Sequence, residues 1–225
     1  MIRVITITHQ CGSDGSELAA LIANKHRWDL LDRGLVDRVA RVADLGETAE
    51  RFDHQAARWC NVLKARGVNL DELCPRVEPR WFGEVDDDSI QPLSAQLIRA
   101  AADFGECVIA VPGAQCLLYG RQNVLNVLVY APIQERLARV KDDHPECPDV
   151  HALLQQLDSQ VTKYVLEHYE SEWLGAGLCL YDLCINTSTG LDAAVARIDA
   201  ELMFTQESCT ATPEVFSPCH PLHRP

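Results

Sequence analysis

Several features that mark common classes of protein are absent from this 225-residue sequence. No apolar run approaches the roughly 18 residues that cross a bilayer, so we expect no membrane helix. Positive charge is scarce, since 20 Lys and Arg face 33 Asp and Glu and the net charge is −13. This balance argues against nucleic acid or an anionic membrane as a partner. A strand pattern begins at the first residues, which predicts that there is no cleaved signal peptide.

The ten cysteines include no C-x-x-C pair, which argues against zinc ribbons and thioredoxin motifs. Several lie inside apolar strand patterns, where a reduced thiol acts as a small hydrophobic residue. We therefore predict that all ten are reduced and that the protein is cytoplasmic. One alternative is a metal site near the end of the chain, although its spacing matches no standard zinc pattern. Its ligands would be Cys209, Cys219, His220 and His223.

The sequence does contain short apolar strands that alternate with amphipathic helices. This order is typical of a parallel sheet covered by helices on both faces, in which ligands bind beyond the carboxyl ends of the strands. The predicted strands are 2–8, 107–111, 124–130 and 183–186, with a weaker one near 28–31. The predicted helices are 17–25, 35–43, 48–64, 93–104, 133–141, 152–169 and 191–204. We expect a loop-rich insertion at 65–89 and a disordered tail at 205–225 that adds little stability.

The first predicted strand ends in a loop with two glycines and continues directly into a helix. Such a loop presents backbone N–H groups and a helix N-terminus to a phosphate. The G-x-x-x-x-G-K-[ST] signature is incomplete, however. With Ser16 at its last position, the other fixed positions hold His9, Asp14 and Gly15. The sequence thus predicts a phosphate loop without its lysine, formed by Gly12, Ser13, Asp14, Gly15 and Ser16.

Five segments, in order, resemble the cytidylate kinase-like branch of the P-loop nucleoside monophosphate kinases. Residues 8–15, Thr-His-Gln-Cys-Gly-Ser-Asp-Gly, are similar to the family's Ser-Arg-Glu-x-Gly-Ser-Gly-Gly loop, and residues 28–36 to its Trp-x-x-x-Asp-Arg-x-Leu-Ile segment. The other three are 105–114, 123–140 and 181–188, and the whole resemblance covers about 2–204. It implies a three-layer P-loop NTPase-type α/β fold: a parallel five-stranded sheet with helices on both faces and a helical lid at about 142–172.

The resemblance also implies ATP-dependent phosphoryl transfer, with Mg²⁺, to a nucleoside monophosphate such as CMP. Such catalysis depends on positioning and on neutralising phosphate charge. Two of the family's arginines are replaced here, one by Pro112 and the other by Val161, three residues after Asp158. The basic pair that follows the lid tyrosine is Leu-Glu at 166–167. The remaining candidates for catalytic phosphate contacts are Arg136, Arg139 and Lys163.

Most of these candidates also have a purely structural interpretation. Ser16 could hold magnesium or simply occupy the first turn of a helix. Asp32 and Arg33 could touch an acceptor nucleotide, or cap the helix that begins near residue 35. Arg136 and Arg139 are three residues apart on one predicted helix, where they could reach phosphates or form a solvated face.

Three functions therefore stay open: a working nucleotide kinase, a kinase-like module without turnover that binds a nucleotide or a protein, and a thiol or metal protein. Asp14 separates the first two. A carboxylate about 4 Å from a phosphate charge would repel it by about 4 kcal/mol at an effective dielectric of about 20. We expect weak binding of ATP unless the Asp14 side chain points away from the ligand.

Overall fold

Five strands form one fully parallel sheet in the computed structural model, which describes residues 1–45, 51, 53–73 and 87–210. The sheet order is β2-β3-β1-β4-β5, so β1 lies at the centre. In the register, Val4 of β1 is paired with Cys107 of β3 and Val124 of β4. The predicted α/β class with a five-stranded parallel sheet is confirmed. The strands are β1 (Val4–His9), β2 (Asp29–Asp32), β3 (Cys107–Ala110), β4 (Val124–Tyr130) and β5 (Leu183–Asn186).

Helices cover both faces of this sheet because the central strands are apolar on both sides. Successive residues of β1 alternate between two cores: Val4 packs with α2, α3 and α5, and Ile5 packs with α1 and α9. None of the described helices is both long and apolar enough to cross a bilayer. The helices are α1 (Gly15–His26), α2 (Arg33–Leu45), α3 (His54–Ala65), α4 (Leu70–Leu73), α5 (Asp87–Phe104), α6 (Ala114–Leu118), α7 (Ile133–Asp143), α8 (Val150–Tyr169) and α9 (Leu191–Thr210).

Several boundaries differ from the sequence prediction. The expected loop 65–89 contains the short helix α4 and the first turn of α5, while 74–86 lie outside the described residues. The helix predicted from residue 48 is seen as α3 from His54, with 46–50 and 52 also outside. Helix α9 continues to Thr210, past the predicted start of the tail, because the first helix-breaking proline is Pro213. The side chains of the proposed tail metal site lie outside the described part.

Helix α8, in the predicted lid region, is held against the end of the sheet by a small third core. Val165 and Trp173 pack there with Leu128 of β4, and all three are buried. The Trp173 Nε1–H donates to Thr162 Oγ1 at 2.8 Å, which ties the segment after α8 back to the helix. Asp158 lies two turns before Val165 on the same face of α8, so this packing places its carboxylate beside the loop that follows β1.

Candidate ligand site at the carboxyl ends of the strands

The loop between β1 and α1 is fastened to its surroundings by its backbone carbonyls. The Cys11 carbonyl accepts from Arg136 Nε at 2.7 Å and the Gly12 carbonyl from Arg139 Nη1 at 3.1 Å. The Ser13 carbonyl accepts from the buried Thr187 hydroxyl at 3.0 Å. Gly12 has φ +72°, and a Cβ there would lie 2.7 Å from the Arg136 carbonyl oxygen. Helix α7 therefore fixes the loop and requires its first glycine.

The Asp14 carboxylate pairs with a cation. Asp14 lies in the left-handed region at φ 56° and its side chain caps no helix N–H. Its Oδ2 lies 2.9 Å from Nε of Arg139, whose Nη2 also donates to Glu135 at 3.2 Å. From the sequence, the Asp14 carboxylate was expected to repel a phosphate, to point away from it, or to hold a metal ion through water. In the structure the Asp14 carboxylate is neutralised by Arg139. The Arg139 guanidinium, which could bind phosphate, is therefore paired with a carboxylate of the protein itself.

A second carboxylate, which belongs to α8, contacts the loop. Asp158 of α8 accepts from the Cys11 backbone N–H at 3.2 Å and pairs with Arg136 at 2.5 Å. Arg136 is buried, with 5% of its surface exposed. It therefore belongs to no solvated face. Burial and the nearby Asp158 raise the pKa of the Cys11 thiol, which keeps this thiol protonated at neutral pH.

The His9 side chain fills the space that a side chain at residue 15 would need. A Cβ at Gly15 would lie only 2.2 Å from the Cβ of His9, so this glycine is required by contact and not by a turn. Burial lowers the pKa of His9, so the imidazole is neutral at pH 7. Its Nε2 lies 3.1 Å from Ser16 Oγ, and its Nδ1 lies 3.3 Å from the Gln10 carbonyl oxygen. A neutral ring with Nδ1 protonated satisfies both contacts and makes Ser16 the donor.

Two adjoining cavities open beside this loop. One, of about 340 Å³, lies at the ends of β1, β2 and β3, and the other, of about 290 Å³, lies between the loop and α8. Their volumes lie just above and just below the lower end of the range for small-molecule sites. Both are lined by His9, Arg33, Pro112 and Val161. Pro112 and Val161 are two positions where the family resemblance leads one to expect arginine.

The predicted site residues separate into three groups. Asp32 and Arg33 line the first cavity, yet Asp32 also accepts from the Leu35 N–H at 2.7 Å, as a helix cap does, and Arg33 donates to Asp37 at 3.0 Å. Arg136 and Arg139 contact the loop backbone. Lys163 is 73% exposed, lies 3.8 Å from Glu167 and lines neither of these cavities.

The described residues do not fit a magnesium site. The Ser16 hydroxyl donates to His9, and the adjacent Asp14 carboxylate is paired with Arg139. Within the described ranges no three Asp, Glu, His or Cys side chains are grouped as metal ligands. Magnesium is held by carboxylates and substrate phosphates in nucleotide sites. The two carboxylates beside the loop, Asp14 and Asp158, are both paired with arginines here.

Strand, glycine loop and helix at the centre of a parallel sheet define a P-loop-type α/β protein. The chain belongs to the cytidylate kinase-like family, whose model matches residues 4–189. No curated protein matches it. An uncharacterized protein from Eubacterium ventriosum ATCC 27560 shares 16% identity over 90% of this chain and 99% of its own, with a TM-score of 0.59, which is a likeness of fold.

Shikimate kinases are also among the similar solved structures. The enzyme from Bacteroides thetaiotaomicron is 14% identical over 89% of this chain and 98% of its own, with a TM-score of 0.48. The one from Acinetobacter baumannii is 14% identical over 92% and 96%, with a TM-score of 0.44. Scores at this level carry no conclusion about ligands or activity.

Sequence reasoning missed two contributors to the site. Asp158 served only as a landmark for Val161, and Thr187 was noted only within the segment 181–188 that carries the resemblance. Both act on the loop from more than 140 positions away, Asp158 through the Cys11 N–H and Thr187 through the Ser13 carbonyl. No local spacing signals such contacts, since they depend on how α8 and the turn after β5 pack on the loop.

Proposed function

We propose that this member of the cytidylate kinase-like family binds a nucleoside or nucleotide in the cavities beside the loop and does not transfer phosphoryl groups from ATP. The observation that carries the proposal is the ion pair between Asp14 and Arg139. It places a carboxylate in the phosphate loop and occupies the nearest guanidinium at the same time.

The charge around the loop supports this proposal. Three carboxylates, Asp14, Glu135 and Asp158, contact only two guanidiniums, Arg136 and Arg139, so the cluster carries a net charge of −1. Phosphoryl transfer requires the opposite, because charge on the transferred group must be neutralised. No lysine lies in residues 9–16 to offset it.

Loss of turnover need not remove binding. The cavity at the strand ends keeps a volume of about 340 Å³, apolar walls and the polar groups of Asp32 and Arg33. Ligands of open parallel sheets bind at this edge. An apolar pocket with a few convergent polar groups is the usual form of a small-molecule site.

Phosphoryl transfer from ATP to CMP is the competing function, and membership of the family is what favours it. A coupled assay with Mg-ATP and CMP decides between the two. We expect no turnover above the protein-free rate, together with binding of a cytidine compound by calorimetry. Steady turnover that depends on both substrates would contradict the proposal.

The binding site is tested with a matched pair of variants on α8. Val161 lines both cavities, so Val161→Phe should fill the site and abolish binding. Leu166 lies on the same helix but is 54% exposed, so Leu166→Phe should bind like the wild type. Equal binding by all three proteins would show that the ligand binds elsewhere.

A further inference from the structure

We infer that the Asp158 carboxylate occupies the anion-binding position of the loop, so that the ligand of the adjoining cavities is an uncharged nucleoside and not its phosphate ester. This inference rests on the proposed function and specifies its ligand class. Asp158 accepts from a loop N–H at Cys11 and from the guanidinium of Arg136.

A backbone N–H in a glycine loop and an arginine are the two donors that typically hold a phosphate oxygen. Here both donors converge on one carboxylate of the same chain. Other N–H groups of this loop also have partners, since Gln10 N–H donates to the Val129 carbonyl and Ser13 N–H to the Gln10 carbonyl. An incoming phosphate would have to displace Asp158 to use the Cys11 N–H.

Displacement of Asp158 is opposed by its surroundings. The Arg136 side chain is only 6% exposed, and its Nε is already committed to the Cys11 carbonyl. Breaking such an ion pair leaves a buried charge without its partner, which is strongly unfavourable. Helix α8 is also anchored by Val165 in the third core, so Asp158 cannot leave by a free movement of the helix.

The cavities themselves favour a neutral ligand. Their shared lining includes Pro112 and Val161, and the shared imidazole of His9 is neutral. The shared cation, Arg33, donates to Asp37. The nearest cluster of charges carries a net −1 and would repel a phosphate dianion. A nucleoside offers an apolar ring face and hydroxyl groups without this repulsion.

The test compares cytidine, CMP and inorganic tripolyphosphate in calorimetric titrations of the wild type and two variants. Asp158→Asn removes the internal charge and keeps an acceptor for Arg136. Glu167→Gln makes the same change of charge nine residues along α8, at a half-exposed site. Thermal melting of each variant first establishes that it is folded.

We expect the wild type to bind cytidine at least as tightly as CMP, and tripolyphosphate more weakly than either. Asp158→Asn should raise the affinity for CMP and tripolyphosphate at least about tenfold, which corresponds to about 1.4 kcal/mol, and leave cytidine affinity within about twofold. The gain should shrink as salt is added, because it is electrostatic. Glu167→Gln should leave all three affinities unchanged.

Two failures of this test have different meanings. If wild-type protein binds CMP or tripolyphosphate more tightly than cytidine, or if Glu167→Gln matches Asp158→Asn, the role of Asp158 is refuted while ligand binding stands. If neither cytidine nor CMP binds to any of the three proteins, the proposed function itself fails, and the inference fails with it.

Discussion

Replacing Asp14 is the most informative single change in this protein. Asp14→Gly removes one carboxylate from a cluster of net charge −1 and releases Arg139 from its pair at 2.9 Å. A bare carboxylate about 4 Å from a phosphate would weaken binding by about 4 kcal/mol at an effective dielectric of about 20. Since Arg139 already neutralises much of that charge, the gain is smaller. We expect Mg-ATP affinity to rise by about one order of magnitude, or about 1.4 kcal/mol.

The fold should tolerate this change. Asp14 holds φ 56° without capping the helix, and glycine adopts that conformation about 1 kcal/mol more easily. The lost ion pair is partly exposed and is worth at most about 1 kcal/mol. The two effects nearly cancel, so the melting temperature should shift by only a few degrees.

The assay pairs Asp14→Gly with Asp14→Asn in calorimetric titrations with Mg-ATP. Asparagine also tolerates the left-handed conformation and removes only the charge. Equal gains in both variants would show that charge is the cause. A gain with glycine alone would assign the effect to backbone geometry. Micromolar affinity for ATP in the wild type, with no gain in either variant, would refute the reasoning.

Three further predictions rest on other contacts of the described residues. Gly15→Ala should destabilise the protein by about 1–3 kcal/mol or more, since its Cβ would lie 2.2 Å from that of His9. His9→Gly removes that Cβ and should restore part of the loss, and Gly34→Ala, whose nearest neighbour would lie at 3.5 Å, is the tolerated control in denaturant titrations. Because burial lowers the pKa of His9, the unfolded state takes up this proton more readily, so the free energy of unfolding should fall as pH drops below about 6.5, and less steeply in His9→Gln. None of the seven cysteines whose side chains the structure describes is in a disulfide. Titration of denatured protein without reductant should therefore count ten thiols, and two fewer would reveal a disulfide.

The fold was predictable because its signals are local and periodic. Strands β4 and β5 were predicted with their observed ends, since both are short apolar runs bounded by polar or turn residues. Helix ends were less accurate, as at α9, where residues 205–210 contain no glycine or proline to stop the helix. Helix α6, five residues long, was missed because so short a segment shows no period.

The candidate site was only half predictable. The glycines identified the loop, and the family resemblance left Arg136 and Arg139 as candidate phosphate ligands. It could not show that both guanidiniums are bound to carboxylates, because the partners come from the loop and from α8. Whether an arginine binds a ligand or a neighbouring acid is decided by packing, which one sequence does not reveal.

These contacts also limit how much phosphate binding and phosphoryl transfer a single substitution can restore. Asp14→Gly releases Arg139, but Asp158 still occupies the Cys11 N–H and Arg136, and Pro112 and Val161 still line the cavities. A gain in ATP affinity should therefore come without phosphoryl transfer to CMP, because charge on the transferred group would remain poorly neutralised. Turnover in the single variant Asp14→Gly would show that this one carboxylate silences an otherwise competent site, and that Asp158 is displaced when nucleotides bind.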